Sequence, residues 1–203
     1  ESAETKYSQF LKLPAAAQAK KKSVIKKQYG LNNFILAQGT REPRKNLNRL
    51  IDAFLKFKQK YPKTRVQLAI TGKYGWGQDV TTKDPSIKIL GFIPEKDMVG
   101  LHASAICLAY PSLYEGFGLP VVKSLKVGVP VITSHNSSLI EISQGAAILV
   151  DPNSTESIAK AIEKIVHSKK LRQQLSRRGI EIAKKFSWQT AAKQTLMVYT
   201  SLC

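Results

Sequence analysis

The sequence predicts an α/β fold in which a parallel sheet carries helices on both faces. Short apolar runs of strand length alternate about six times with longer segments whose apolar residues have helical spacing. The chain has 203 residues, of which 43% are hydrophobic and 23% are charged, and these values suit one globular domain. No apolar run approaches the roughly 20 residues that a membrane-spanning helix needs.

The strands are predicted from short apolar runs that polar or turn residues separate. These runs are 34–39, 66–72, 87–92, 106–112, 130–134 and 146–151. Most are apolar nearly throughout, which is typical of strands buried on both faces of a parallel sheet.

The helices are predicted from apolar spacing and from residues that start or end a helix. The segments are 15–30, 47–62, 94–105, 119–128, 137–143, 154–168, 171–186 and 187–202. The spacing in the second segment is carried by Leu47, Leu50, Ile51, Phe54 and Tyr61. Pro62 ends that segment, Gly30 and Gly128 end two others, and Ser154 is a typical N-cap.

The net charge of +18, with a pI near 10.0, predicts an anionic partner such as nucleic acid, an acidic membrane face or a phosphorylated substrate. Nucleic acid is the least favoured, because the lysines are spread along the chain without interleaved aromatic residues. Cys107, in an apolar run, and Cys203, at the end, make a poor disulfide pair, which favours a reducing compartment. No His/Cys group has metal-ligand spacing, so no metal is expected.

The loop after the fourth predicted strand has the features of an anion site. Gly116 and Gly118 let a ligand approach the backbone, and Pro120 favours the first turn of the next helix. Free amides and the helix dipole would then favour an anion, whereas Glu115 beside them suits hydroxyl groups or a developing cation. This loop alone is equally compatible with an ordinary tight turn.

The loop after the first predicted strand is basic. Arg41, Arg44 and Lys45 combine planar, bidentate guanidinium groups with a mobile point charge, and both groups bind phosphate. This loop alone also fits an exposed basic surface. Because ligands bind beyond the carboxyl ends of parallel strands, the two loops together favour a diphosphate ligand.

Five stretches of the sequence resemble a known family. They are "GTREPRKNLNRLIDAF", "LGFIPEKDM", "YPSLYEGFGLPVVKSLKVGVPVITSHNSSLIEI", "VDPNS" and "FSWQTAA". In order and spacing they are similar to the C-terminal, donor-binding half of a GT-B glycosyltransferase of the GT4 family, also called glycosyl transferases group 1. The resemblance runs from Phe34 to Tyr199 and implies a Rossmann-like domain. It also implies that the N-terminal acceptor domain is missing, so that this fragment is inactive alone; a chain that begins with Glu1 fits this expectation.

The resemblance also implies a division of the chain into three parts. Residues 1–29 would be a basic linker or helix from the parent chain, and residues 30–185 would be the nucleotide-sugar-binding domain. Residues 186–203 would form a C-terminal helix.

Several residues receive a role from the resemblance. Arg44 and Lys45 would hold the diphosphate, and Phe92 and Ile93 would border the nucleotide base. Glu115 would contact the donor sugar as the catalytic carboxylate.

The turn that follows completes the implied site. The amides of Gly116, Phe117 and Gly118 would lie beside the sugar hydroxyls and the phosphate. Leu119 would open the supporting helix, and Lys123 would reach a phosphate.

The implied reaction transfers a sugar, with retained anomeric configuration, from a UDP- or GDP-sugar to a glycan or lipid-linked acceptor. No cofactor and no metal are expected, because cationic groups and helix N-termini would neutralise the departing diphosphate. The expected location is the cytoplasm, with peripheral contact at the inner face of the membrane, where an anionic leaflet would attract the basic chain.

Three positions depart from the family pattern. Lys123 replaces a second glutamate, whose carboxylate would accept the ribose hydroxyls, and lysine offers only donors. Lys126 and Ile140 replace a small residue and a proline. The alternative hypothesis is therefore a degenerate, non-catalytic domain that supports a partner enzyme.

Overall fold

The structure, a computed structural model, describes residues 3–77 and 79–202. Glu1 and Cys203, on which two of the expectations above depend, lie outside the described residues. The strands are β1 Phe34–Gln38, β2 Gln67–Thr71, β3 Ile87–Gly91, β4 Cys107–Tyr110, β5 Val131–Ser134 and β6 Ala147–Val150. The helices are α1 Ala3–Phe10, α2 Ala15–Gln28, α3 Leu47–Lys60, α4 Glu95–Ser104, α5 Leu119–Lys126, α6 Ser137–Ser143, α7 Thr155–His167, α8 Lys169–Ala183 and α9 Trp188–Ser201.

The strands form one parallel sheet with the order β3-β2-β1-β4-β5-β6. Successive side chains of β1 point to opposite faces, so that Ile35 and Ala37 join one core while Phe34 and Leu36 join the other. Helices α3 and α7 cover the first face, and α2, α4, α5 and α6 cover the second. The predicted α/β architecture with helices on both faces is confirmed.

Helices α3 and α7 show why local patterns predicted the fold well. The predicted stripe of α3 is buried at Leu50 and Phe54, and α7 buries Ile158 and Ile162. The Ser154 side chain accepts a hydrogen bond from the amide of Ser157, as an N-cap should. Burial of each such side chain contributes about 1.5–3 kcal/mol, which makes these stripes the main support of both helices.

The N-terminal segment folds as two helices that pack on the domain. Helix α2 buries Ile25 against α4, as part of the second core. Helix α1 was not predicted, because its sequence is polar apart from Tyr7 and Phe10. Both aromatic side chains are buried, at 0% and 2% exposure, against α4 and the end of α5. The predicted boundaries at residues 29 and 185 remain predictions.

Helix α9 differs from the core helices in its exposure to solvent. The Ser187 side chain caps its first turn by accepting from the amide of Thr190, yet no residue of the helix is buried. Among the described helices none combines the length and apolar character that crossing a bilayer requires.

Candidate functional site

The candidate site lies where the strand order of the sheet reverses. From β1 the chain proceeds to β2 and β3 on one side and to β4, β5 and β6 on the other. The connections that leave β1 and β4 therefore diverge and open a crevice at the carboxyl ends of these strands. Residues 39–46 follow β1 and residues 111–118 follow β4, so the two predicted loops meet at this crevice.

The loop after β1 is held by a short 3-10 turn, Pro43–Lys45. Asn46 ends that turn in the left-handed region, at φ 59°. Its Nδ2 donates to the carbonyls of Pro111 and Pro152, at 2.9 and 2.7 Å. The amide of Leu113 donates to the Arg44 carbonyl at 2.8 Å. These bonds fasten the two loops to each other, so the side chains they carry have a fixed relation.

A charged cluster, defined here as Arg44, Lys45, Tyr110 and Glu115, occupies the crevice. Lys45 Nζ donates to Glu115 Oε1 and to the Tyr110 hydroxyl, both at 2.6 Å. Arg44 Nη1 donates to Glu115 Oε2 at 2.9 Å, and Arg44 Nε contacts Glu42 at 2.8 Å. The structure thus brings the two predicted cations into direct contact with the predicted carboxylate.

The two cations of the cluster differ in how deeply their side chains are buried. The Lys45 and Glu115 side chains are 8% and 7% exposed, whereas the Arg44 side chain is 41% exposed. The stem of Lys45 passes over Gly39, where an added Cβ would lie 3.0 Å from Lys45 Cε. Lys45 is therefore a fixed positive charge, and Arg44 has room to turn towards a ligand.

The protonation of the cluster follows from these contacts. Burial raises the pKa of Glu115, but hydrogen bonds from Lys45 and Tyr110 and the Lys45 charge outweigh it and leave the pKa below its ordinary value. Burial and the Glu115 carboxylate raise the pKa of the Tyr110 hydroxyl. At neutral pH the cluster contains an ionised carboxylate beside a protonated phenol.

The glycine turn follows Glu115 and leads into α5. Gly118 adopts φ 100° as the N-cap residue of that helix, a conformation that favours glycine. Ser138 of α6 donates through Oγ to the carbonyls of Glu115 and Phe117, at 3.0 and 2.9 Å. The amides of Gly116, Phe117 and Gly118 donate no hydrogen bond to other described residues, so they remain available to an anion.

The remaining predicted site residues differ in exposure. Phe92, after β3, is 63% exposed, and Lys73 Nζ lies 4.9 Å from its ring centroid. Ile93 is only 6% exposed and belongs to the core, so its side chain has little surface for a ligand. Leu119 is 49% exposed at the start of α5, and Phe117 packs edge-on against Phe186.

Lys123 does not join the charged cluster. Its Nζ lies 3.3 Å from Glu95 Oε1, in the first turn of α4, and 5.4 Å from the ring centroid of Tyr7. Lys123 was predicted to reach a phosphate, and in the described structure it forms an ion pair with Glu95. Its role towards a ligand stays a prediction.

Tyr110 and Ser138, like Asn46, support the site but were not predicted as site residues. Tyr110 holds Lys45 from the end of β4, and Ser138 holds the glycine turn from α6. Tyr110 carried a usable signal, because it ends a strand at the carboxyl edge of the sheet. Ser138 could not be identified from the sequence, because it bonds to backbone carbonyl groups and no sequence pattern marks such partners.

Comparisons with known proteins identify the family and the fold of this chain. A family model described as Glycosyl transferases group 1 matches residues 18–182. O-antigen chain mannosyltransferase B of Escherichia coli is 35% identical over 188 residues, which cover 87% of this chain and 48% of that relative. Anabaena Alr3699/HepE, solved in complex with UDP-glucose, has a TM-score of 0.78 at 22% identity over 90% of this chain and 53% of its own. The C-terminal domain of the glycosyl transferase group 1 family protein LpcC from Francisella tularensis has a TM-score of 0.63 at 20% identity, over 75% of this chain and 85% of that one.

The doubly wound parallel sheet, with Arg44 and Lys45 at its switch point, defines a Rossmann-like domain. More particularly, the chain belongs to the Glycosyl transferases group 1 family, because the family model covers most of its length. The resemblance inferred from the sequence is confirmed, and the solved structures show the GT-B type of fold. The chain spans 48% of the Escherichia coli relative, or about half.

Proposed function

We propose that this chain is the donor-binding domain of a retaining glycosyltransferase that uses a nucleoside-diphosphate sugar. The observation that carries the proposal is the direct contact of Arg44 and Lys45 with Glu115, beside the free amides of the glycine turn. The crevice therefore offers cations and amide donors for a diphosphate together with an acceptor for sugar hydroxyls.

The two cations have different roles in this proposal. Arg44, which is partly exposed, leaves Glu115 and forms bidentate contacts with the phosphate oxygens. Lys45 stays in place, because Tyr110 and the surrounding core hold it, and it supplies a fixed charge in a water-poor site. As the diphosphate departs, both charges and the amides of Gly116, Phe117 and Gly118 stabilise its growing negative charge. No cofactor or metal is part of this proposal.

Glu115 acts on the sugar rather than on the phosphate. Its depressed pKa keeps it ionised at neutral pH, so that it can accept hydrogen bonds from sugar hydroxyls or stabilise a developing cation at the anomeric carbon. Phe92 offers an exposed aromatic face that borders the nucleotide base.

The donor and acceptor are proposed from the relatives. One solved relative is described in complex with UDP-glucose, and several curated relatives are named mannosyltransferases. A UDP- or GDP-hexose is therefore the proposed donor, and a glycan or lipid-linked glycan is the proposed acceptor. The acceptor domain would belong to the half of the relatives that this chain does not span, so the chain alone would be inactive. The proposed setting is the cytoplasm, at the inner face of the membrane.

A degenerate domain that supports a partner enzyme is the second candidate. The observation in its favour is Lys123, which forms an ion pair with Glu95. A lysine has no carboxylate to accept hydrogen bonds from ribose hydroxyls. In this case the fold persists while nucleotide affinity is lost.

Thermal unfolding with UDP, GDP, ADP and their sugars separates the two candidates. A nucleotide at a hundredfold excess over its Kd adds about 2.7 kcal/mol of stability, which raises Tm by about 5–10 °C. Lys45→Ala should abolish that shift, whereas Lys193→Ala, at an exposed position of α9, should preserve it. A wild-type chain that shows no shift at millimolar nucleotide contradicts donor binding. If Lys123→Glu then creates a shift, the degenerate domain is supported.

A further inference from the structure

A groove between α2 and α4 lies apart from the charged cluster and is lined by none of its residues. Its volume is 420 Å³. Lys20, Lys21, Val24 and Ile25 line one wall, at positions that share one face of α2. Lys96 lines the opposite wall, from the first turn of α4.

The floor of the groove is apolar because the two helices approach closely. Gly100 of α4 has no side chain, and a Cβ there would lie 2.6 Å from Ile25 Cγ1. Ile25 is 6% exposed and forms part of the core. Val24 is 54% exposed at the rim, where it remains in contact with solvent. The groove therefore joins a cationic rim to an apolar surface.

The rim charges are not neutralised within the described part of the chain. Lys20, Lys21 and Lys96 form no ion pair with a described acidic side chain, and α2 has five lysines but no acidic residue. Asp97 also lines the groove, but its Oδ2 accepts hydrogen bonds from Gln28 and Tyr29, at 3.0 and 2.6 Å. The groove therefore carries a local excess of positive charge.

We propose that this groove binds the phosphate head group of an anionic membrane lipid and so docks the domain on a negatively charged bilayer. Lysine ammonium groups bind phosphate as point charges, and a basic cluster on a helix favours anionic leaflets. Val24 at the rim then contacts the first acyl carbons of the lipid. Nucleic acid fits less well, because none of the described lining residues is an arginine or an aromatic residue on which a base could stack. The inference does not depend on nucleotide binding at the charged cluster.

Co-sedimentation of the full chain with lipid vesicles tests this surface. Vesicles of phosphatidylcholine alone are compared with vesicles that contain phosphatidylglycerol, at physiological salt. The variant Lys20→Gln/Lys21→Gln/Lys96→Gln removes the rim charges. The variant Lys169→Gln/Lys170→Gln/Lys193→Gln removes the same number of charges from exposed positions of α8 and α9. Both variants change exposed side chains, and thermal unfolding of each variant should give a Tm close to that of the wild type.

The wild-type chain should bind only the anionic vesicles. Each lysine near the surface contributes about fivefold in affinity, so the rim variant should bind on the order of a hundredfold more weakly. The α8/α9 variant should bind nearly as well as the wild type. Val24→Ser should weaken vesicle binding, because it removes an apolar contact. Retention on a heparin column, which reports attraction to an anionic polymer alone, should stay unchanged because no charge is removed.

Several outcomes would overturn the proposal. Equal losses in both lysine variants would show that binding reflects net charge alone, and absence of binding to anionic vesicles would exclude the surface. Displacement from vesicles by millimolar inorganic phosphate would identify a site for soluble phosphate. Binding of duplex DNA that the rim variant loses would identify a nucleic-acid surface. None of these outcomes affects the nucleotide-induced rise in Tm, so this proposal and the proposed function can fail separately.

Discussion

Replacement of Lys45 by methionine perturbs the charged cluster while keeping an unbranched stem over Gly39. The change removes the ammonium group that contacts Glu115 Oε1 and the Tyr110 hydroxyl, both at 2.6 Å. Glu115 then keeps one cationic partner, Arg44, at 2.9 Å. A carboxylate with 7% side-chain exposure would thus lose half of its ion pairing.

The magnitude follows from the burial of both partners. Removal of one member of a buried ion pair costs about 3–5 kcal/mol, because the other charge is left uncompensated. Arg44 remains in contact with Glu115, so we expect a loss near the lower limit, about 3 kcal/mol. For a chain of this size that loss lowers Tm by about 6–12 °C. The double variant Lys45→Met/Glu115→Gln removes the uncompensated carboxylate and should recover most of the loss.

Thermal and urea unfolding of the wild type, the single variants and the double variant measure this coupling. The pKa of Glu115 lies below its ordinary value of 4.5 in the folded chain, so its stabilisation is present above pH 4.5 and lost as pH falls through the folded pKa. In Lys45→Met the folded pKa of Glu115 rises, because its hydrogen bond and charge partner is gone, so this acid-induced loss of stability should become smaller. A loss of stability below about 1 kcal/mol, or a double variant no more stable than Lys45→Met, would refute the described network.

Three further predictions concern other parts of the fold. Burial and the Lys123 charge lower the pKa of His102 from 6.5 to about 3. Between pH 6.5 and about pH 3, the imidazole is therefore protonated in the unfolded chain but neutral in the folded chain. Below pH 6.5, His102 should therefore lower the free energy of unfolding by about 1.4 kcal/mol per pH unit, and urea titrations of His102→Gln should lack this slope. Gly118→Ala should cost about 2 kcal/mol in thermal unfolding, because alanine is strained at φ 100°. Phe92→Ala should change stability by less than about 0.5 kcal/mol. In calorimetry it should weaken UDP or GDP binding about tenfold, and unchanged affinity would exclude a base contact there.

Local patterns predicted most of the fold. The apolar stripe of α3 and the Ser154 cap of α7 depend on residues a few positions apart, so a short stretch of sequence is enough to predict each helix. The parallel sheet followed from the alternation of elements. Its switch point then brought Arg44 and Lys45 to Glu115, as expected for loops at neighbouring carboxyl ends.

Contacts between distant elements were not predictable in the same way. Helix α1 depends on burial of Tyr7 and Phe10 by α4 and α5, and its own polar sequence does not indicate this burial. Lys123 was expected to reach a ligand, but its contact with Glu95 requires the relative placement of two helices. No spacing rule in a single sequence specifies such a placement.

The bond between Lys45 and Glu115 joins residues that are 70 positions apart. Neither half of the chain can therefore assemble the charged cluster by itself, and the contact requires the native pairing of β1 with β4. Chains in which β1 and β4 are unpaired should therefore lack the proposed donor site. Because a ligand of the native state alone shifts the equilibrium by mass action, sugar nucleotides should increase the yield of refolding and slow unfolding during storage.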